Sequence, residues 1–156
     1  MSNQNKKAVV WGAGGFTGGE LLRLLSTHPQ MTLSAALSHT YAGKSIGQIY
    51  PNLAPFTDAA FTSPGDWSWD ELKQDGWVLF SAQPHKQTMK VLPPVMEQLK
   101  GADVKVVDLS GDFRLADPQV YQTYYGVEHV SPTYLDAFVY GLVVAGSFAW
   151  LWPAAV

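Results

Sequence analysis

Cysteine is absent from all 156 positions of the sequence. That single absence excludes disulfides, thiolate metal sites and a cysteine nucleophile within this chain. Charge is sparse as well: charged residues make up 15% against 47% hydrophobic, a globular rather than a disordered composition. The formal net charge of −3 leaves no broad basic field, so nucleic acid is not an expected partner. No secretory leader is visible, because Met1–Lys7 is polar and the apolar run behind it is too short for an h-region. A cytoplasmic protein is therefore expected. Internal repeats and low-complexity segments are missing. No two histidines stand at metal-ligand spacing and no Ser/His/Asp set is suggested by position, so neither a metal site nor a triad is expected.

What the sequence does contain is an alternation of strand-like and helix-like segments. Lys6–Trp11 is a short apolar run ending at glycine, and Gly12–Gly18 reads as a loop. Gly19–His28 carries Leu21, Leu22, Leu24 and Leu25 at helical spacing, with Pro29 closing it, and Met31–Ser38 is a second strand-like run. Strand, loop, helix and strand in so short a span imply a parallel pair joined by a right-handed crossover. Tyr41–Ser63 reads as loop and Asp66–Asp75 as a short helix. Gly76–Ala82 and Val104–Leu109 are further strands. His85–Leu99 is helical by content, but Pro93 and Pro94 are expected to kink it or split it in two. Asp117–Pro118 and Ser131–Pro132 each pair a cap residue with proline at the first helical position.

Gly12-Ala13-Gly14-Gly15-Phe16-Thr17-Gly18 lies between the first strand and the first helix, the context that a dinucleotide fingerprint requires. The strict G-x-G-x-x-G spacing fails at Thr17, whereas G-x-x-G-x-x-G fits through Gly12, Gly15 and Gly18. One glycine permits the tight turn, one lets backbone amides approach phosphate, and one lets helix and strand pack closely. The helix N-terminus then faces the pyrophosphate charge. The pattern thus predicts an α/β domain of Rossmann type, a doubly wound and mostly parallel sheet, and a side chain at Gly15 or Gly18 is expected to block phosphate with the fold retained. The competing reading is a glycine-rich turn that serves only chain reversal.

The end of the second strand bears on which dinucleotide binds. A carboxylate about twenty residues past the loop would hold the ribose 2′-hydroxyl of NAD. Here no acidic residue stands between Glu20 and Asp58, and Ser38, His39 and Thr40, with Lys44 nearby, suit a 2′-phosphate. NADP is the expected cofactor, the alternative being that these are ordinary polar loop residues.

Beyond the loop, the strings Gly15–Leu25, Tyr41-Ala42-Gly43-Lys44, Pro84-His85, Val107–Leu115, Tyr124-Tyr125-Gly126, Glu128-His129 and Tyr140-Gly141-Leu142 together resemble the N-acetyl-gamma-glutamyl-phosphate reductase family. Its relatives are the aspartate-semialdehyde dehydrogenases. Within these strings Asp108-Leu109-Ser110-Gly111-Asp112-Phe113-Arg114 is far more specific than the glycine loop. The resemblance spans roughly residues 6–142, less than half of a full family member. It implies NADPH-dependent reduction of an acyl phosphate to an aldehyde through a cysteine thioester, in arginine biosynthesis, with a histidine as acid/base. By the same resemblance Gly12, Gly14, Gly15, Phe16, Thr17 and Gly18 contact the pyrophosphate. Ser38 and His39 meet the 2′-phosphate, and Pro84 and His85 line the nicotinamide end. Asp112 and Arg114 lie around the edge of the substrate site; alternatively, they form a structural ion pair that holds the loop.

The family continues from Tyr-Gly-Leu into Pro-Glu and then an Asn-Pro-Gly-Cys segment, whereas this sequence reads Leu142-Val143-Val144-Ala145-Gly146-Ser147 and carries no nucleophile. A dinucleotide-binding domain over 1–142 and an apolar tail over 143–156 is the expected organisation. No charge occurs in Ala137–Val156. Three accounts fit that stretch: an out-of-frame or misassembled gene end, a fragment with its native tail, or a membrane anchor. Pro153, Gly141, Gly146 and the lack of basic flanks argue against the anchor. Phe148, Trp150, Leu151 and Trp152 add to apolar surface that a second domain covers in the family, so self-association is expected. NADPH is the expected partner, with an acyl phosphate only where a second domain is supplied. A non-catalytic NADP-sensing module is the alternative that needs the glycine loop but no cysteine.

Overall fold

The computed structural model describes residues 5–141. Five strands, β1 (Lys6–Trp11), β2 (Met31–Leu37), β3 (Phe61–Thr62), β4 (Trp77–Ser81) and β5 (Lys105–Asp108), form one parallel sheet in the order β3-β2-β1-β4-β5. This is the strand order of a dinucleotide-binding Rossmann fold, with β1 at the centre.

β1 is a continuous apolar run because both of its faces are covered. Ala8 and Val10 point to one face and pack with Leu22, Leu25, Ile46, Leu53 and Phe61. Val9 and Trp11 point to the other and pack with Leu79, Met89, Leu92, Phe113 and Tyr121. Leu22 and Leu25 come from α1 (Phe16–Ser26), and Met89 and Leu92 from α3 (Thr88–Gln98), so one helix closes each face. The strands expected at Met31–Ser38, Gly76–Ala82 and Val104–Leu109 are present, the first without Ser38 and the other two shorter by one residue at each end.

Several local expectations are corrected. α1 begins at Phe16, not at Gly19, with Gly15 as an extended N-cap (φ −90°, ψ 171°). Glycine costs a helix about 1 kcal/mol relative to alanine, but Gly18 and Gly19 sit where close packing leaves no room for a Cβ. The loop-like stretch 41–63 holds α2 (Ile46–Ile49), started by a reciprocal capping box between Ser45 and Gln48, and the two-residue β3, too short to show a period. The expected helix at Asp66–Asp75 is only a 3-10 segment, Trp69–Lys73. Asp117 caps α4 (Pro118–Tyr125) as expected, its Oδ1 accepting from Gln119 N–H at 2.7 Å. Ser131 does not cap the 3-10 segment Pro132–Ala137.

The clearest correction concerns α3, which runs as one helix of 11 residues through both prolines. Proline at 93 has no N–H, which releases the carbonyl of Met89 one turn earlier. Ser131 Oγ donates to that carbonyl at 2.8 Å. The hydroxyl expected to cap its own helix instead replaces the bond that proline removes. Pro94 would release the carbonyl of Lys90, a residue exposed to water. Ser131→Ala should leave the Met89 carbonyl unpaired and destabilise the domain by about 1–3 kcal/mol, read as a lower urea midpoint with an unchanged slope.

Candidate functional site

The connections leaving β1 and β4 diverge to opposite sides of the sheet, which opens a crevice at the carboxyl ends of the strands. A cleft of about 340 Å³ lies there. The β1 loop lines it with Trp11, Gly12, Gly14 and Gly15; the end of β2 with Leu37, Ser38, His39, Thr40 and Tyr41; and the β3 and β4 ends with Pro64, Ala82, Gln83 and Pro84.

The glycines of the loop have separate jobs. Gly12 has φ +88°, and a Cβ there would lie 2.7 Å from the Ala82 carbonyl carbon. Its N–H and that of Ala13 both donate to Leu37 O at 3.0 Å, which ties the loop to β2. A Cβ on Gly18 would come within 2.6 Å of Ala13 Cα, so helix and loop meet backbone to backbone. A Cβ on Gly14 would strike Ser38 Oγ and the Tyr41 ring at 2.7 Å. Gly15 differs from all of these, because the nearest atom to an added Cβ is Gly12 O at 3.7 Å. The space above Gly15 is open, and it lies at the N-terminus of α1.

Phe16, Thr17 and Gly18 form the first turn of α1, where backbone N–H groups have no intrahelical acceptor. No side chain caps them and no acidic residue occupies that turn. The positive end of the helix is thus offered to an anion. Phe16 is wholly exposed beside it.

Tyr50, which the sequence reading did not single out, fastens this loop. Its hydroxyl donates to Ala13 O at 3.1 Å and Gly15 O at 2.9 Å, and a Cβ on Gly19 would meet its ring at 2.7 Å. Burial pushes the phenol above its ordinary value of 10.0, helped by Tyr41, so it stays a donor at neutral pH. The capping box at Ser45 and Gln48 starts the short helix that ends at Tyr50, and was the available signal.

At the end of β2, Ser38 is buried and its Oγ accepts from Tyr41 N–H at 3.2 Å. His39 and Thr40 are exposed, and the Lys44 ammonium lies 5.8 Å from the Tyr41 ring. No Asp or Glu is among the residues that line the cleft. At the β4 end, with the Gln83 amide turned to satisfy both of its ends, its oxygen accepts from Trp11 Nε1 at 3.0 Å and Gly12 N–H at 3.2 Å.

Pro84 lines the cleft, but His85 stands outside that lining, with Nδ1 accepting from Gly111 N–H at 2.7 Å. Asp112 is fully buried. Its Oδ1 accepts from Lys86 N–H (2.8 Å) and the Tyr121 hydroxyl (2.9 Å), and its Oδ2 from Met89 N–H (3.0 Å). The ion pair with Arg114, offered as an alternative, is absent among the described residues. The Arg114 guanidinium lies over the rings of Tyr125 (5.7 Å) and Tyr140 (6.0 Å) instead. Nearby, Asp108 accepts from Ser110 Oγ at 2.6 Å, and burial raises its carboxyl above the ordinary 3.8, with the Asp112 charge adding to the effect.

A parallel sheet in this order, a glycine loop pressed against it and a bare helix N-terminus at its crevice define a Rossmann-type dinucleotide-binding domain. Residues 7–138 match the family described as semialdehyde dehydrogenase, NAD binding domain, and the chain belongs to it. Among curated relatives it is 40% identical over 136 residues to LysW-L-2-aminoadipate/LysW-L-glutamate phosphate reductase of Sulfurisphaera tokodaii, covering 87% of this chain and 37% of the relative. It is equally similar, 40% over 136 residues, to N-acetyl-gamma-glutamyl-phosphate reductase of Nitrosococcus oceani, covering 87% of this chain and 38% of the relative. The chain therefore spans a little over a third of the length of these relatives. In fold it is similar to aspartate semialdehyde dehydrogenase II of Vibrio cholerae, with TM-score 0.52 and 19% identity over 71% of this chain and 32% of that one. Among the described residues no helix is long and apolar enough to cross a membrane, and the apolar tail over 143–156 lies outside them.

The geometry separates two glycine substitutions that the sequence treats alike. Gly15→Val should abolish NADPH binding and leave the melting temperature close to that of the parent, because its side chain enters open space. Gly18→Val should unfold or severely destabilise the domain, because its side chain collides with backbone. Thermal melts and NADPH titrations of both variants check this.

Proposed function

We propose that this chain is the NADP-binding portion of an acyl-phosphate reductase, acting in its complete form on N-acetylglutamyl phosphate in arginine biosynthesis. The observation that carries the cofactor assignment is the open space at Gly15 beneath the uncapped first turn of α1: a cradle that a Cβ would fill. Gly12, Gly14 and Gly15 with the amides of Phe16, Thr17 and Gly18 hold the pyrophosphate. Backbone amides fixed by Tyr50 suit this, since they need no reorganisation when the anion arrives. Ser38 and His39 hold the 2′-phosphate. Pro84 lines the nicotinamide end, with His85 beside it. When bound, NADPH supplies hydride for reduction of an activated acyl group.

Choice of the phosphorylated cofactor rests on the lining at the end of β2, where hydroxyls and an imidazole stand and a carboxylate does not. NADPH should therefore bind at least about tenfold more tightly than NADH, about 1.4 kcal/mol. Ser38→Asp should narrow or invert that preference by repelling the 2′-phosphate. Paired fluorescence titrations decide it, and equal affinities in the parent chain would count against the assignment.

Both of the curated relatives named above are phosphate reductases of acidic amino-acid derivatives. The thioester route needs a thiolate, and these 156 residues contain none. Serine hydroxyls do not replace it readily, because an oxygen ester accepts hydride less easily than a thioester. The chain should bind NADPH yet show no phosphate-dependent oxidation of N-acetylglutamate semialdehyde. Supplying a family second half with its Asn-Pro-Gly-Cys segment should restore turnover, whereas a non-catalytic NADP-sensing module would gain none. Turnover by the cysteine-free chain, lost in Gly15→Val, would overturn the proposed division of labour.

A further inference from the structure

The loop after β5 grips the turn after β4 at three points. Gly111 N–H donates to His85 Nδ1, and the carboxylate of Asp112 receives Lys86 N–H on one oxygen and Met89 N–H on the other. The turn needs holding. Lys86 has φ +70°, alone among the non-glycine residues described, a left-handed conformation that brings Cβ against the following carbonyl. Met89 lies in the uncapped first turn of α3, so the same carboxylate that steadies the strained residue also satisfies the start of the helix.

Asp112 is itself oriented from behind. The Tyr121 hydroxyl donates to Oδ1 at 2.9 Å, and His129 Nε2 lies 2.9 Å from its backbone oxygen. The Tyr121 ring stacks on Tyr125 at 4.5 Å and meets His129 edge-on at 4.9 Å. The carboxylate is fully buried with both oxygens engaged, so each reaches the turn at a defined place.

The turn carries Pro84 into the cleft and His85 beside it. Because Nδ1 accepts the Gly111 N–H, a neutral imidazole carries its proton on Nε2 and offers a donor at its remaining nitrogen. We propose that Asp112 is a positioning residue for the cofactor: it shapes the Pro84–Lys86 turn and, with Gly111, holds His85 as an Nε2–H donor toward an oxygen of the bound dinucleotide. This rests on the NADP reading above and adds to it a residue that never meets the ligand.

The test uses the 156-residue chain labelled with nitrogen-15, reading the His85 ring nitrogens by long-range proton–nitrogen correlation and NADPH affinity by fluorescence well below the melting transition. Asp112→Asn cannot accept on both atoms, since its amide nitrogen faces one of the two N–H groups. It should weaken NADPH binding by about tenfold and shift the His85 nitrogens from the fixed pattern toward a tautomer average. Adding Lys86→Gly should recover most of the affinity, because glycine adopts positive φ without strain. Should Asp112→Asn fail to fold, Tyr121→Phe removes one of the donors and keeps the ring packing. It should weaken binding about threefold and move His85 in the same direction. Variants that bind NADPH within twofold of the parent and leave the His85 nitrogens unchanged would overturn the proposal. A parent chain that does not bind NADPH would overturn the cofactor reading instead, and an unchanged His85 pattern in the variants would then by itself overturn the role of Asp112.

Discussion

Backbone meets backbone at the floor of the cleft, with no side chain between. The turn at Gly12 abuts the Ala82 carbonyl at the end of β4, and Gly18 presses the first turn of α1 onto Gly12 and Ala13. A single methyl group at either place would push one of these layers away. From this contact follows the direction in which α1 leaves the sheet, and hence the presentation of its bare N-terminus at the crevice. The same contact brings β4 and its trailing turn near enough to β1 for Gln83 to share the Trp11 indole and the Gly12 amide.

Two polar side chains from outside the cleft hold its walls in corresponding ways. Tyr50 reaches across to two carbonyls of the glycine loop, and Asp112 reaches across to two amides of the 84–89 segment. One supplies a donor to a loop rich in exposed acceptors, the other an acceptor to a turn rich in unpaired donors. Each converts an irregular backbone segment into a fixed surface without adding a side chain to the space between them. That arrangement suits a site whose ligand is bound by main-chain groups.

Much of this was legible in the residues. The strand, glycine loop, helix and strand over 6–38 announce a parallel crossover, and burial on both faces of β1 explains why Ala8-Val9-Val10-Trp11 is apolar throughout. The family likeness was legible in the Asp108–Arg114 string. What escaped were features set by contacts far apart in sequence. Tyr50 lies 37 residues from Ala13; the capping box at Ser45 and Gln48 marks the short helix that ends there, but not what the hydroxyl reaches. Gly15 and Gly18 look equivalent by spacing, yet only the packing distinguishes open space from a backbone collision. Asp112 and Arg114, two apart in the motif, suggest a charge pair, whereas one is buried among amides and the other rests on tyrosine rings.

The hydroxyl of Ser131 on the Met89 carbonyl has a consequence for how this sequence can vary. Pro93 makes Ser131 necessary, since it removes the local partner that the carbonyl would otherwise have; an ordinary residue at 93 would return that partner and free position 131 to drift. The two positions, 38 apart in the chain, thus form an epistatic pair. A substitution at 131 that is harmful beside proline becomes silent beside alanine, and the order in which the two changes arise decides whether the lineage passes through a weakened intermediate.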